Sequence, residues 1–237
     1  VRSAVLIDIL AKPDGVTTIV GDELAAVRDE FGDKRRSELV AQAEDLSIED
    51  LIAPQDMVVT VSHGGYMKAQ AADEYRAQLR GGRGKQATAT KEDDFVERMF
   101  IANTHDFILC FSNRGRVYWL KVYNVPQGSR ASRGKPIVNL VPLADNEKIT
   151  AILPVKEFTE TQYVFMATAM GTVKKTPLAD FSRPRPSGII AVDLADGDRL
   201  IGVALTDGQH DVMLFSSGGK AVRFDENDVR PMGRNAH

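Results

Sequence analysis

Apolar positions along the chain fall into two patterns. Over the first 50 residues Leu6, Ile7, Ile9 and Leu10, then Leu24, Val27 and Phe31, recur at roughly helical spacing. This predicts a helix from Glu23 to about Phe31, with Asp22 as N-cap and Gly32 at its C′ end. Lys12-Pro13-Asp14-Gly15 reads as the break between it and a preceding helix. Residues 41–56 (AQAEDLSIEDLIAPQD) are acidic, carry a proline near their end and are expected to be a linker after a helical region 1–40. From Met57 the apolar runs shorten to four to six residues and end in Ser/Gly turns: Met57–Val61 before SHGG, Phe107–Phe111 before SNRG, Tyr163–Ala167 before TAMG and Val212–Phe215 before SSGG. None alternates strictly, which predicts strands buried on both faces.

The turns are periodic. Their last glycines, Gly65, Gly115, Gly171 and Gly219, are separated by 50, 56 and 48 residues. A second series, Gly84, Gly134, Gly188 and Gly233, keeps step at 50, 54 and 45. Two marks in phase at a period near 50 define an internal repeat of the kind found in propellers and solenoids. Each unit has room for about four short strands, the size of a propeller blade. Residues 57–237 hold three repeats and part of a fourth; a β-sandwich with coincidental turns is the competing reading.

Composition changes this picture little. The chain has 237 residues, 43% of them apolar and 27% charged, ordinary for a folded globular protein. No run approaches the ~18 apolar residues of a membrane span, and no secretory signal precedes the first helix. The single cysteine, Cys110, excludes an internal disulfide and fits a reducing, cytoplasmic compartment; its place within FILCF predicts a core thiol. The absence of an initiator Met and the abrupt end at Arg234-Asn235-Ala236-His237 are expected of a segment of a longer chain.

Charge is more informative by position than in total. The net charge is −3, but residues 1–57 carry −7 and residues 58–237 carry +4. Within the β region the sign alternates with the repeat. Residues 66–91 are +4, 92–113 are −4, 114–135 are +6, 136–173 are −2, 174–185 are +3 and 186–219 are −4; residues 220–237 are +1. Each basic block falls between the first and second glycine of its unit. Rotationally related blades would align those blocks along one rim, which suits the phosphate backbone of bent duplex DNA. The candidate contacts are Lys68, Arg76, Lys85, Arg114, Arg116, Lys121, Arg130, Arg133, Lys135, Lys174, Lys175, Arg183, Arg185, Lys220 and Arg223. No recognition helix or zinc finger is evident, so binding is expected to be sequence-independent and steeply salt-dependent.

The densest motif is Gln78-Leu79-Arg80-Gly81-Gly82-Arg83-Gly84, followed by Lys85. Glycines permit close backbone approach and the cations supply phosphate contacts. It is not a Walker A loop, because Leu79 and Gln86 stand where glycine and Ser/Thr are required. With Glu49-Asp50-Leu51-Ile52, the run Val58–Lys68 and Tyr75-Arg76 around it, the motif resembles the gyrase A box at the start of the C-terminal domain of gyrase A proteins, the DNA-cleaving subunits of DNA gyrase. Phe31-Gly32-Asp33-Lys34-Arg35-Arg36-Ser37 is similar to the end of the breakage–reunion region of that family. Leu79 departs from the family, which usually carries a basic residue there.

The resemblance implies a mainly β fold, a β-pinwheel whose neighbouring blades exchange strands. It implies a module, without catalytic residues of its own, that wraps double-stranded DNA around its rim, with residues 78–84 specific to wrapping. A holoenzyme of two gyrase A and two gyrase B chains would then introduce negative supercoils in bacterial cytoplasm, using ATP and Mg2+ held by gyrase B. No cofactor, metal or membrane contact is expected for this segment. The five tyrosines read as packing residues, Trp119 as core, and His63, His105, His210 and His237 show no metal-ligand spacing. The alternatives are the corresponding domain of topoisomerase IV, which would bind DNA crossings, and a protein-binding propeller scaffold.

Overall fold

The computed structural model describes residues 2–11, 13–33, 36–37, 48–75, 94–129 and 131–234. The chain divides into two compact units, Val1–Leu46 and Ser47–His237. In the first, α1 (Arg2–Ala11) is followed by α2 (Pro13–Phe31). Helix α2 begins well before the expected start, so Asp22 lies inside it and is not its N-cap. Pro13 suits the first helical position, where its missing N–H has no helical acceptor. Asp14 follows in the first turn, favourably placed on the helix dipole. Thr18 Oγ1 donates to Asp14 O at 2.8 Å. The Gly- and Thr-containing stretch is thus carried inside one helix. Gly32 does follow the last turn, its N–H bonded to Arg28 O at 2.7 Å.

The second unit is built from four hairpins: β1 (Asp56–Ser62) with β2 (Tyr66–Ala71), β4 (Phe107–Ser112) with β5 (Arg116–Lys121), β8 (Tyr163–Thr168) with β9 (Val173–Pro177), and β12 (Asp211–Phe215) with β13 (Ala221–Asp225). The first glycine series occupies their turns, all with positive φ. A longer strand supplied by the chain after each of the first three hairpins pairs antiparallel with its first strand. These are β3 (Val96–Asn103) on β1, β7 (Ile149–Val155) on β4 and β11 (Leu200–Thr206) on β8.

The fourth position is filled from further along. β6 (Lys135–Pro136) follows the second hairpin yet pairs with β2 of the first, Met67 opposite Lys135. β10 (Ile189–Ile190) follows the third hairpin yet pairs with β5 of the second, Ile189 opposite Val117. The sheet orders are therefore β3-β1-β2-β6 and β10-β5-β4-β7, then β11-β8-β9 and β12-β13. Separate small sheets with exchanged edge strands are the expected pinwheel, and not the two facing sheets of a sandwich.

The core explains the missing alternation. Ile108 and Cys110 of β4 enter one cluster with Val59, Met67 and Leu120. Leu109 and Phe111 enter a second with Val117, Val164 and Met166. A central strand between two cores needs apolar residues on both faces. Of the expected linker 41–56, residues 41–47 lie outside the described residues. Residues from Ile48 belong with the β unit: Glu49 Oε1 accepts from Lys121 Nζ at 2.7 Å, Ala53 O from Thr104 Oγ1 at 3.0 Å, and Ile52 O lies 2.8 Å from His105 Nε2.

Candidate nucleic-acid interface

The exchanged segments carry the chemistry. Residues 126–137 approach β2 along its length. Ala69 N–H donates to Pro126 O at 3.0 Å, Gly128 N–H to Ala69 O at 3.2 Å, and Ile137 N–H to Gly65 O at 2.8 Å. Between those anchors the segment exposes Arg133 and Lys135. Two residues after the first turn glycine, the receiving strand lies directly beneath Gly134 (φ +83°). A Cβ on Gly134 would overlap the carbonyl of Met67. Gly188 (φ +69°) repeats the arrangement, where a Cβ would lie 2.6 Å from the Tyr118 ring and 2.9 Å from Val117 O. The second glycine series thus marks strand exchange at these two positions.

The second connector, 183–192, exposes Arg183 and Arg185 and ends with the Ala191 N–H on Gly115 O at 2.8 Å. A third begins at Arg230, where Lys175 bridges Pro231 as Ala69 bridges Gln127, and Met232 N–H donates to Lys175 O at 2.8 Å. Exposed Arg230 and half-buried Arg234 belong to this third connector and were missed in the sequence. Their signal was the adjacent Gly233, already in phase with Gly134 and Gly188.

The fifteen cations and the box fare differently. Arg114 and Lys220, at hairpin turns, are exposed with Arg133, Lys135, Arg183, Arg185 and Arg223. Arg114 Nη2 donates to Asp145 O at 2.5 Å, and Arg223 is paired with Asp211 through Nε at 3.0 Å and through Nη2. Arg76, the box residues 78–84, Lys85 and Arg130 lie outside the described residues.

Four assignments are corrected. Lys68, Lys174 and Lys175 are buried, at 1%, 3% and 1% exposure, and cannot present their ammonium groups to a phosphate. Lys68 Nζ donates to Ser129 O and Ser132 O, both at 3.0 Å, and Lys174 Nζ to Arg234 O at 2.5 Å. Desolvation lowers the pKa of both. Lys175 pairs with Glu226 at 3.1 Å inside the protein. Lys121 is the fourth: its Nζ bonds Glu49 Oε1 at 2.7 Å and His105 O at 2.8 Å, above the Phe107 ring. Arg116 is half-buried, with Nη2 on Ser187 O at 2.7 Å.

The remaining reactive groups behave as packing. Cys110 is fully buried, and desolvation pushes its thiol up to about 12. Trp119 packs against the second core and its Nε1 donates to Phe181 O at 2.9 Å. Tyr118 OH donates to the buried Glu147 Oε2 at 2.9 Å. Ligand atoms of Asp207, His210 and Glu226 lie within 4.8 Å of one another, a grouping that the sequence spacing did not reveal. The Lys175 ammonium already balances the Glu226 carboxylate there.

Repeated blades that exchange edge strands, with exposed cations recurring on the exchanged connectors, define a strand-swapped propeller module. The chain belongs to the DNA gyrase C-terminal domain, beta-propeller, family, whose model matches residues 56–103, 106–156, 162–207 and 210–237. It is 60% identical to the A subunit of DNA gyrase from Salmonella typhimurium over 94% of this chain and 25% of that protein. The chain thus spans about a quarter of the length of the curated relatives it matches. Among solved structures, the C-terminal domain of DNA topoisomerase IV superposes with a TM-score of 0.67 at 30% identity, over 77% of this chain and 55% of that one. The DNA gyrase A C-terminal domain superposes with a TM-score of 0.56 at 27% identity, over 76% and 58%. Among the described residues no helix is long and apolar enough to cross a membrane.

Proposed function

We propose that this chain binds double-stranded DNA along its exchanged connectors and bends it around the blades, as the wrapping part of a gyrase A protein. The observation that carries this reading is the recurrence of exposed cations on successive exchanged connectors: Arg133 and Lys135 on the first, Arg183 and Arg185 on the second, Arg230 on the third. A surface that grips phosphates on successive connectors, with no element among the described residues shaped for a groove, binds by charge and reads no bases. Residues 78–84 add the wrapping-specific contact. Within a holoenzyme of two gyrase A and two gyrase B chains in the bacterial cytoplasm, the wrapped segment would be delivered for ATP-driven negative supercoiling. ATP and Mg2+ belong to gyrase B, and this chain supplies no cofactor ligand to the reaction.

The topoisomerase IV reading is favoured by the higher TM-score of that domain. The 60% identity to a gyrase A protein and the box at 78–84 weigh more, because blade geometry is shared by both proteins. DNA affinity measured from 50 to 200 mM salt tests the binding. The slope of log K against log salt should fall by about 1.8 when Arg133 and Lys135 are both replaced by Ala, about 0.9 per lost phosphate contact. An unchanged slope would sink the assignment of the connectors.

A further inference from the structure

Among the cations placed on DNA by sequence that instead bind backbone carbonyls, three grip exchanged connectors. Lys68 on β2 donates to Ser129 O and Ser132 O, both at 3.0 Å, in the loop carrying Arg133. Lys174 stands at the same place relative to its turn, three residues after Gly171 as Lys68 is after Gly65. It donates to Arg234 O at 2.5 Å in the third connector. In the intervening blade Tyr118 occupies that place. There Arg116, one residue after Gly115, takes over and donates to Ser187 O at 2.7 Å. Each of the first three blades thus holds its neighbour's connector through a cation and main-chain oxygens, across 60 to 71 residues of sequence.

We infer that Lys68, Arg116 and Lys174 are positioning residues, which hold the exchanged connectors so that the connector cations meet DNA as a fixed row. The inference rests on the reading of the connectors as the DNA contact. Carbonyl oxygens are strong acceptors, and a buried ammonium satisfied by two of them fixes a loop that has little apolar anchorage. Arg133 is exposed next to Ser132, whose carbonyl Lys68 holds, and exposed Lys135 follows where β6 pairs with Met67. A preordered row loses less conformational freedom when DNA binds than a loose one. A lysine that touches a phosphate contributes its own contact; a lysine that holds the loop controls all the contacts on it.

A double-mutant cycle on the full chain separates these roles. Lys68→Met removes the ammonium and keeps the volume. It is combined with replacement of Arg130, Arg133 and Lys135 by Ala, and duplex DNA affinity is measured from 50 to 200 mM salt. Lys68→Met alone should lower the salt slope by more than the ~0.9 of a single phosphate contact. On the triple-Ala background it should change nothing further. The Ser132 amide, bonded to Ser129 O at 3.0 Å, should exchange faster in Lys68→Met. An additive drop of about 0.9 would make Lys68 a direct contact and overturn the inference. So would an unchanged slope with unchanged Ser132 exchange. If the triple-Ala chain itself binds as before, the DNA reading of the connector falls, and this role falls with it. Should Lys68→Met not fold, the half-buried Arg116→Gln decides on a background of Arg183→Ala and Arg185→Ala: non-additive slopes sustain the inference and additive ones overturn it.

Discussion

At the scale of single residues, burial decides what a charge does. Lys175 and Glu226 sit at 1% and 0% side-chain exposure, 3.1 Å apart, with Lys175 Nζ also 3.2 Å from Asn227 Oδ1. Burial works to raise the Glu226 carboxyl. The Thr206 hydroxyl beside it, the His210 amide and the Lys175 ammonium more than reverse this and bring it down to about 2. A carboxyl whose folded pKa lies below its unfolded value contributes stability above the unfolded value, here 4.5. That contribution is lost as pH falls from there toward about 2. Glu226→Gln should therefore flatten the acid limb of stability in that window, measured by denaturant unfolding at several pH values. At neutral pH it leaves Lys175 buried without its counter-charge, at a cost of about 3–5 kcal/mol. Replacing both partners by apolar residues of similar size should cost less than either single change. A thiol raised to about 12 within the core should likewise leave Cys110 unreactive toward alkylating reagents until the chain unfolds, so labelling faster than unfolding would contradict its burial.

At the scale of elements, the connectors depend on two glycines. Gly134 and Gly188 combine positive φ with a main chain beneath that leaves no room for a Cβ. Strain of about 1–3 kcal/mol adds to overpacking of about 1–3 kcal/mol. Gly134→Ala should thus destabilise the first two blades well beyond an ordinary turn substitution, and a melting temperature equal to that of the unsubstituted chain would exclude the exchange at that position. Much of this element was legible in the sequence. Turn glycines are demanded by local backbone geometry, so their spacing survives as a visible period. The partners of the exchange were not legible. β6 and β10 are two residues each, too short to show a period of their own. The burial of Lys68 was hidden for a related reason, since its acceptors lie 61 and 64 residues away. In α2, Asp22 looks like an N-cap because propensity is local, although the break at Lys12-Pro13 is where the helix starts. Pro13, nine residues earlier, occupies the first helical position instead.

At the scale of the whole molecule, the opposed signs of the two halves make physical sense. The acidity of the total resides ahead of the blades, at −7 over residues 1–57, while the blades carry +4 over 58–237. Bending 20–30 bp smoothly by 40–90° costs on the order of 1–6 kcal/mol. Counterion release at phosphates contacted blade after blade can offset that without base readout. On the proposed reading, buried Lys68, Lys174 and Lys175 take no direct part in the offset, which falls to the exposed connector and turn cations. Binding that weakens little between 50 and 200 mM salt would contradict an electrostatic grip. The most direct test of wrapping is topological. Relaxed circular DNA is closed by a nicking–closing enzyme in the presence of the chain, and its linking number is measured after the protein is removed. The account predicts a shift of one sign that grows with protein and disappears when Arg80 and Arg83 are replaced by Ala. A linking number unchanged at saturating protein would contradict it.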